Sequence, residues 1–216
     1  MLTYEDVIND ETIIQLYRLV DEKTNYVVSL GMRHINSVVK NAKNIAAALK
    51  LDERESRLLL IASVLHDIGR LDDNYRHEMY SALRCESMLM GEMEEDDLSV
   101  VLKCIRNHNY DYTKLSEIEN LDLCLMLADK LDFSFSRLNE KLMYQAESAN
   151  YNLYKFTKSV DVYRKDNELV VEVTVLNDEG KSAVEFFSSS YKFLPLIDEI
   201  KSRFKLNKIS FIIQMA

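Results

Sequence analysis

Hydrophobic residues in the first 150 positions recur at intervals of three and four, the spacing that gathers apolar side chains on one face of a helix. The only proline, Pro195, lies beyond this region. The clearest amphipathic segment runs from Arg33 to Lys50. The pattern predicts helices over residues 11–23, 33–50, 77–90 and 94–108, a helix between Asp52 and Gly69, a central helix within LDLCLMLADKLDF, and a connecting helix over about 133–149.

Polar residues predict where some of these helices begin. Asp10 is suited to cap the first helix, because its side chain can accept a hydrogen bond from a free backbone N–H. Asp52 with Glu55, and Ser116 with Glu119, have the three-residue spacing of a capping box. Two further helices are therefore expected to begin directly after Asp52 and near Glu119.

After residue 150 apolar and polar side chains alternate, which is typical of half-buried strands. SVDVYR, LVVEVTVL and SAVEFF are predicted strands joined by turns at KDNE and NDEG, and a helix over residues 196–204 precedes a last strand, KISFIIQ. The expected fold class is α+β. An all-α bundle over residues 1–150 would precede a small antiparallel β module with one helix, in the order βββαβ, over residues 151–216.

Composition narrows the class of protein. A chain of 216 residues with 47% hydrophobic content can bury one large core. No apolar run approaches the roughly 20 residues that span a bilayer, and the N-terminal segment MLTYEDVINDE is acidic where a signal peptide is basic. We therefore expect a cytoplasmic protein without a membrane partner. Cys85, Cys104 and Cys124 lie singly on predicted helices and are expected to be buried thiols.

The net charge of −9 is unevenly distributed. Residues 1–150 contain 17 Lys and Arg against 27 Asp and Glu, a net of −10, whereas residues 151–216 contain 10 against 9, a net of +1. A negative field repels polyanions and argues against binding of long nucleic acid. It does not exclude a small phosphorylated substrate, because a metal centre would dominate the local field.

All four histidines fall on or beside predicted helices, and two aspartates accompany them. His66 and Asp67 are adjacent and are expected in the last turn before a stop at Gly69. Asp129 lies within the apolar central helix, where an ionised carboxylate costs several kcal/mol unless a cation or a hydrogen-bond network meets it. Metal centres in helical bundles are built from such side chains on facing helices. The candidate metal ligands are His34, His66, Asp67, His77, His108 and Asp129.

These residues also have a purely structural interpretation. A single histidine on an apolar helix face is more often a hydrogen-bonded core residue than a ligand. Here, however, every histidine of the chain occupies such a place. Asp129 could pair with an arginine, for example Arg33 or Arg137, instead of a metal. We favour the metal, because imidazoles accompany the carboxylate.

Five segments in this order resemble the HD-domain metal-dependent phosphohydrolases, an all-helical family named after its His-Asp pair. The resemblance runs along residues 25–140 and is most similar to the six-ligand, dinuclear branch. That branch includes cyclic-nucleotide-type phosphodiesterases and bacterial hydrolases of diadenosine tetraphosphate. The segments are RHINSVVKNAKNIAAAL, LLLIASVLHDIGR, RHEMYSA, CIRNHNY and LADKLDFSFSR.

The resemblance implies two divalent metal ions that share Asp67. Iron or manganese is expected from the imidazole-rich ligands, with zinc or magnesium as alternatives. Two such ions clamp a phosphoryl oxygen and lower the pKa of a water, which makes hydroxide for in-line attack. The first ion would be held by His34, His66, Asp67 and Asp129, and the second by Asp67, His77 and His108.

The expected catalytic residues are Asp67, Arg70 and Lys130. The side chains of Arg70 and Lys130 lie beside the proposed ligands and would neutralise phosphate charge in the transition state. Each could instead be a solvated cation at a helix end. Relatives that act on deoxynucleoside monophosphates or guanosine tetraphosphate carry acids where this chain has Arg70 and Leu71. No GYP triplet follows the pair, so the cyclic-dinucleotide branch is not indicated either.

The expected function is hydrolysis of a small phosphoester or phosphoanhydride, with a nucleotide as the favoured substrate. Two other classes stay open. A di-iron oxygenase uses the same scaffold and ligand spacing, and a metal-stabilised ligand-binding or regulatory protein would use the C-terminal sheet as its functional surface. That module could shape the substrate site, sense a ligand or support a homodimer through an exposed sheet edge.

Overall fold

The computed structural model describes residues 1–24, 26–139, 151–191 and 193–216. Helices fill most of the chain up to residue 130, and a small sheet with further helices follows. The α-helices are α1 Tyr4–Ile8, α2 Glu11–Thr24, α3 Met32–Leu49, α4 Glu53–Leu65, α5 His77–Leu89, α6 Glu95–Asn107, α7 Asn120–Lys130, α8 Asn152–Phe156, α9 Asp178–Ser188 and α10 Phe193–Arg203. The strands are β1 Thr157–Lys165, β2 Glu168–Val175 and β3 Lys208–Met215, and short 3-10 helices span Ile68–Leu71, Leu115–Glu117 and Phe135–Arg137.

The predicted helices of the first 130 residues are confirmed, and most of their ends lie within about two residues of the expected positions. Helix α4 is an exception: it ends at Leu65, so the prediction that His66 and Asp67 lie in its last turn before Gly69 is wrong. The central one is α7, where every residue from Leu121 to Ala128 is buried. Helices α3, α4 and α6 pack around it. A helix that is apolar on all sides needs neighbours on all sides, and this packing supplies them.

Two of the predicted caps are confirmed. Asp10 Oδ1 accepts hydrogen bonds from the backbone N–H groups of Thr12 and Ile13, at 2.8 and 3.1 Å. Asp52 and Glu55 form the reciprocal bonds of a capping box, at 2.7 and 3.0 Å. These bonds satisfy N–H groups that have no partner within the helix.

The capping box predicted at Ser116 is wrong. Residues Leu115–Glu117 form a 3-10 turn that buries Leu115, so α7 begins later. Glu119 takes the cap position, and its backbone N–H donates to Asp122 Oδ2 at 2.9 Å. The box is therefore shifted by three residues along the chain.

Only the beginning of the predicted connecting helix, 133–149, falls within the described residues. There the chain forms the 3-10 turn Phe135–Arg137 instead of an α-helix. Residues 140–150 lie outside the described part of the chain. The predicted domain boundary at residue 150 falls at its edge and stays a prediction.

The C-terminal module contains a three-stranded sheet in the order β1-β2-β3. Strands β1 and β2 form the predicted antiparallel hairpin. Strand β3 pairs with β2 in parallel, so the sheet is mixed and the expectation of an antiparallel one is wrong for β3. The helix pair α9 and α10 supplies the long crossover that a parallel pairing needs.

The predicted strand SAVEFF is wrong, because these residues belong to α9. The segment NDEG is the start of that helix and not a turn between strands. Asn177 caps it by accepting the Gly180 N–H at 2.9 Å, and acidic residues fill its first turn, where they complement the helix dipole. Gly180 and Val184, one helical turn apart, are buried. The module therefore has the order αββααβ, beginning with the short helix α8, within an overall α+β fold, the expected class.

The helical region and the sheet share one buried core, to which Val162, Val171 and Val173 contribute alongside the helices. Polar contacts reinforce this packing. Lys40 on α3 donates to Asp161 at 2.6 Å, and an Arg164 N–H donates to the Ala48 carbonyl at 3.1 Å. The module is thus packed directly on α3, the helix that carries the first candidate ligand.

Two expectations from composition can be compared with the structure. The three cysteines are buried free thiols, as predicted. Within the described ranges, no helix combines the length and the apolar character that crossing a bilayer requires.

Candidate metal centre

Six ligand-type side chains from five parts of the chain meet in one buried cluster. Three lie at helix ends: His34 in the first turn of α3, His77 at the start of α5 and Asp129 in the last turn of α7. Asp129 thus lies nearer the end of its helix than the sequence predicted. The other three follow a helix directly: His66 and Asp67 come after α4, which ends at Leu65, and His108 comes after α6.

Gly69 allows α5 to approach the His66-Asp67 segment closely. A Cβ atom at this position would lie 2.2 Å from Ser81 N and 2.5 Å from the His77 carbonyl oxygen, far inside van der Waals contact. The Gly69 N–H also donates to Ser81 Oγ at 2.9 Å. The absence of a side chain at Gly69 therefore brings His77 towards Asp67.

The four imidazoles are held in the same way, through Nδ1. His66, His77 and His108 each pair Nδ1 with the backbone carbonyl three residues earlier, at 2.9, 3.1 and 2.6 Å. His34 pairs Nδ1 with Asp132 Oδ2 at 2.6 Å. An imidazole that donates through Nδ1 presents a lone pair at Nε2. This outer support is typical of metal-ligating histidines.

The Nε2 atoms converge on the middle of the cluster. His34 Nε2 lies 3.2 Å from His66 Nε2, and His77 Nε2 lies 3.1 Å from His108 Nε2. Two lone pairs at this distance repel each other unless a cation or a proton lies between them. Asp67 Oδ1 is buried and lacks a hydrogen-bond partner among the described residues. These donor atoms fit a divalent cation.

The cluster divides into two groups that share Asp67. His34, His66 and Asp67 offer ligand atoms within 4.8 Å of one another, and so do Asp67, His77 and His108. Asp67 Oδ2 lies 3.4 Å from His34 Nε2. Its Oδ1 lies 3.2 Å from His77 Nε2, 3.5 Å from His108 Nε2 and 3.8 Å from His66 Nε2.

Asp129 joins the first of these groups. Its Oδ1 lies 3.4 Å from His34 Nε2 and 3.9 Å from His66 Nε2. The structure therefore brings all six predicted ligand residues together.

His66, His77 and Asp67 are in the protonation state that metal binding needs. Burial lowers the pKa of His66 to about 3 and that of His77 to about 4, so both imidazoles are neutral at neutral pH. Burial opposes ionisation of Asp67, but the charge of Arg70 and hydrogen bonds to neighbouring imidazoles outweigh it and hold the pKa of Asp67 well below its usual value. Neutral imidazole and ionised carboxylate are the forms that bind metal.

Arg70 and Lys130 lie at the more exposed edge of the cluster. Arg70 Nε donates to Asp67 Oδ2 at 2.6 Å, and a second guanidinium N–H donates to His77 Nε2 at 3.1 Å. Lys130 Nζ donates to Asp129 Oδ2 at 2.7 Å. Their side chains are 16% and 31% exposed. Neither is simply a solvated helix-end cation, because both are bonded to candidate ligands.

The arginines considered as partners of Asp129 bond elsewhere. Arg33 donates to the Leu138 carbonyl at 2.8 Å, and Arg137 donates to the Ser29 carbonyl at 2.9 Å. The basic side chain bonded to Asp129 is that of Lys130, which follows it in the chain.

Sequence reasoning missed Asp132. It is 2% exposed and supports His34 from behind. Its position in LADKLDF, one turn after Asp129 and flanked by apolar residues, is the signal that could have identified it. A second acid in such a segment needs a partner as much as the first does.

Comparison with known protein families gives one match, to the model described as HD domain, over residues 31–134. Comparison with curated proteins gives no match. The matched segment contains all six candidate ligands, and together with the buried cluster it indicates a divalent-metal site. Residues 31–134, just under half of the chain, are therefore similar to the HD domain of metal-dependent phosphohydrolases.

Proposed function

We propose that this protein hydrolyses a small phosphoester or phosphoanhydride at a centre of two metal ions. The position of Asp67 carries the proposal. Its carboxylate is shared by two ligand groups and lies within 3.5 Å of imidazole nitrogens in both. A shared carboxylate between two sets of imidazoles is suited to bridge two cations.

The ligand groups assign residues to each ion. Iron or manganese suits the imidazole-rich donors, with zinc or magnesium as alternatives. Two such ions, when bound, supply a water of lowered pKa and a clamp for a phosphoryl oxygen. His34, His66, Asp67 and Asp129 would hold the first ion, and Asp67, His77 and His108 the second.

Arg70 and Lys130 support a phosphorylated substrate. Both lie at the partly exposed edge of an otherwise buried cluster, where a substrate would approach. Each is held by a carboxylate, so little reorganisation is needed to present its N–H groups to a phosphate. Preorganised cations of this kind stabilise charge that develops in the transition state.

We propose a nucleotide as the substrate class and exclude long nucleic acid. The net charge of −10 over residues 1–150 repels a polyanion. A small substrate has few phosphates, and the local cations can offset that repulsion.

The proposal is tested by phosphate release and product mass across a panel of nucleotides and phosphoesters, with Mn²⁺- and Fe²⁺-loaded protein. We expect turnover that Asp67→Ala abolishes, because this change removes a ligand from both groups. Asp96→Ala, which removes an exposed acid in the first turn of α6, is the matched control and should retain activity. Turnover that survives Asp67→Ala would refute the proposal.

Two other outcomes would assign a different function. Oxygen uptake by anaerobically iron-loaded protein, without phosphate release, would indicate the oxygenase class. Protein that holds metal and shows neither reaction would be a binding or regulatory protein whose metal contributes to stability.

A further inference from the structure

His34 differs from the other three histidines in the partner of its Nδ1. The others bond a backbone carbonyl, whereas His34 bonds a carboxylate, that of Asp132, at 2.6 Å. A carboxylate in this place fixes the tautomer and the ring orientation and makes the imidazole a stronger ligand.

Asp132 is in turn held by Arg137. The guanidinium donates through Nη1 to the Asp132 backbone carbonyl at 2.9 Å and lies with Nε 3.4 Å from Oδ2. Nε donates to the Ser29 carbonyl at 2.9 Å, which fixes the arginine in turn. Both charged residues are buried. Neither can move without leaving a buried charge unpaired.

The C-terminal module contacts Arg137 and Phe133, the residue that follows Asp132. Tyr154 on α8 lies over Arg137, with its ring centroid 5.7 Å from the guanidinium carbon. Phe133, the residue after Asp132, stacks on Phe187 of α9 at a centroid distance of 4.9 Å. From there the ring contacts continue through α10 to β3. Asp132 therefore turns towards His34 while the next residue is anchored in the module.

We propose that the C-terminal module belongs functionally to the metal centre and positions His34 through Asp132. Asp132, Arg137 and Tyr154 are positioning residues. The contact between Phe133 and Phe187 fixes the position of Asp132, the residue that precedes Phe133 in the chain. The inference rests on the proposed function in so far as His34 binds metal. It assigns residues 151–216 the role of tuning metal affinity at the His34 group.

Asp132→Asn tests the link to His34 directly. Asparagine keeps an oxygen that can accept from Nδ1, and Arg137 keeps its bonds to the Ser29 and Asp132 backbone carbonyls. The charge behind His34 is removed, so the ligand is weakened. We expect the affinity of the His34 group for Mn²⁺, measured by calorimetric titration, to fall about 10- to 100-fold. Affinity at the His77 and His108 group should stay within a few-fold of wild type, which a general loss of structure would not allow.

Phe187→Leu tests the link to the module, and the neighbouring residue provides a matched control. Phe187 packs against the core, whereas Phe186 is 78% exposed. We expect Phe187→Leu to lower Mn²⁺ affinity in the same group by a smaller factor than Asp132→Asn, and Phe186→Leu to leave it unchanged. If Phe187→Leu does not fold, Tyr154→Leu, at a half-buried position, tests the same link.

The outcomes separate this inference from the proposed function. Wild-type Mn²⁺ affinity in Asp132→Asn would overturn the positioning role, and wild-type affinity in the folded module variant would overturn the role of the module. Both measurements are of metal binding, so they remain informative in a protein without phosphatase activity. Wild-type protein that binds no metal would refute the proposed function itself, and this inference with it.

Discussion

At the scale of single residues, the metal centre depends on Gly69, which no candidate-ligand search would include. Its missing side chain leaves room for the backbone of α5, and His77 begins that helix. The geometry of the second ligand group is therefore set by a position that cannot bind metal. The sequence predicted Gly69 as the C-terminal stop of a helix, but α4 ends at Leu65 and Gly69 lies within the 3-10 helix Ile68–Leu71.

Gly69→Ala should therefore damage the fold and the second ligand group together. The new Cβ meets backbone atoms of α5, which must shift. We expect a loss of about 1–3 kcal/mol in the free energy of unfolding, measured by urea denaturation, and weaker Mn²⁺ binding by the His77 and His108 group. Gly91→Ala is the comparison: its φ of +84° strains a side chain, yet no atom lies within 4 Å. It should lose stability alone, and equal metal affinity in both variants would contradict this account.

At the scale of elements, helices α4 and α6 are joined by one buried acid. Asp97, in the first turn of α6, accepts hydrogen bonds from Arg54, at 2.7 Å, and from Arg57, both on α4. Burial acts to raise the pKa of Asp97, but the two arginines outweigh it and lower the pKa. These helices also position His66 and His108, the residues that follow them directly.

Asp97→Asn should destabilise the protein at neutral pH and much less in acid. The folded-state pKa lies below the unfolded value of about 3.9, so the stabilisation is present above that pH and is lost as the pH falls towards the folded pKa. We expect Asp97→Asn to lower the free energy of unfolding by about 1 kcal/mol at pH 7, measured by urea denaturation. The difference from wild type should become smaller below about pH 4. Asp96→Asn, at the exposed neighbouring position, is the control. If the difference in unfolding free energy between Asp97→Asn and wild type does not depend on pH, the ion pair does not stabilise the protein.

The helices were predictable because their apolar faces are long enough to show a period. SAVEFF was not, because six residues fit a strand or a helix equally well. The deciding information lay upstream, in the cap at Asn177 and the acids that follow it. The candidate metal centre was likewise only partly predictable from the sequence. Six ligands could be read from their order, but Asp132 acquires its role only when α3, 98 residues away in sequence, approaches it.

At the scale of the whole molecule, the buried cluster lies within a core that extends across the helical region and the sheet. Metal bound there stabilises the entire chain, because an ion that binds only the folded state shifts the unfolding equilibrium. In the metal-free protein, converging lone pairs and the unpartnered oxygen of Asp67 oppose folding. Stability and metal content should therefore change together.

Chelation should lower the melting temperature of the intact protein. At a Mn²⁺ concentration about 100 times the dissociation constant, bound metal raises the free energy of unfolding by about 2.7 kcal/mol. For a chain of this size, that corresponds to a rise in melting temperature of roughly 5–10 °C. Scanning calorimetry with and without EDTA measures it. Asp67→Ala should show no comparable difference, and an equal shift in that variant would place the stabilising ion elsewhere.

All four histidines of the chain lie in the candidate metal centre. Every imidazole nitrogen signal of the protein therefore comes from one of these four rings, and none comes from a histidine elsewhere in the chain. In ¹⁵N-labelled protein, each signal reports a tautomer or an occupied coordination position inside the cluster. If one ligand group fills before the other, the signals of its two histidines should shift before those of the remaining two, without any probe attached to a side chain.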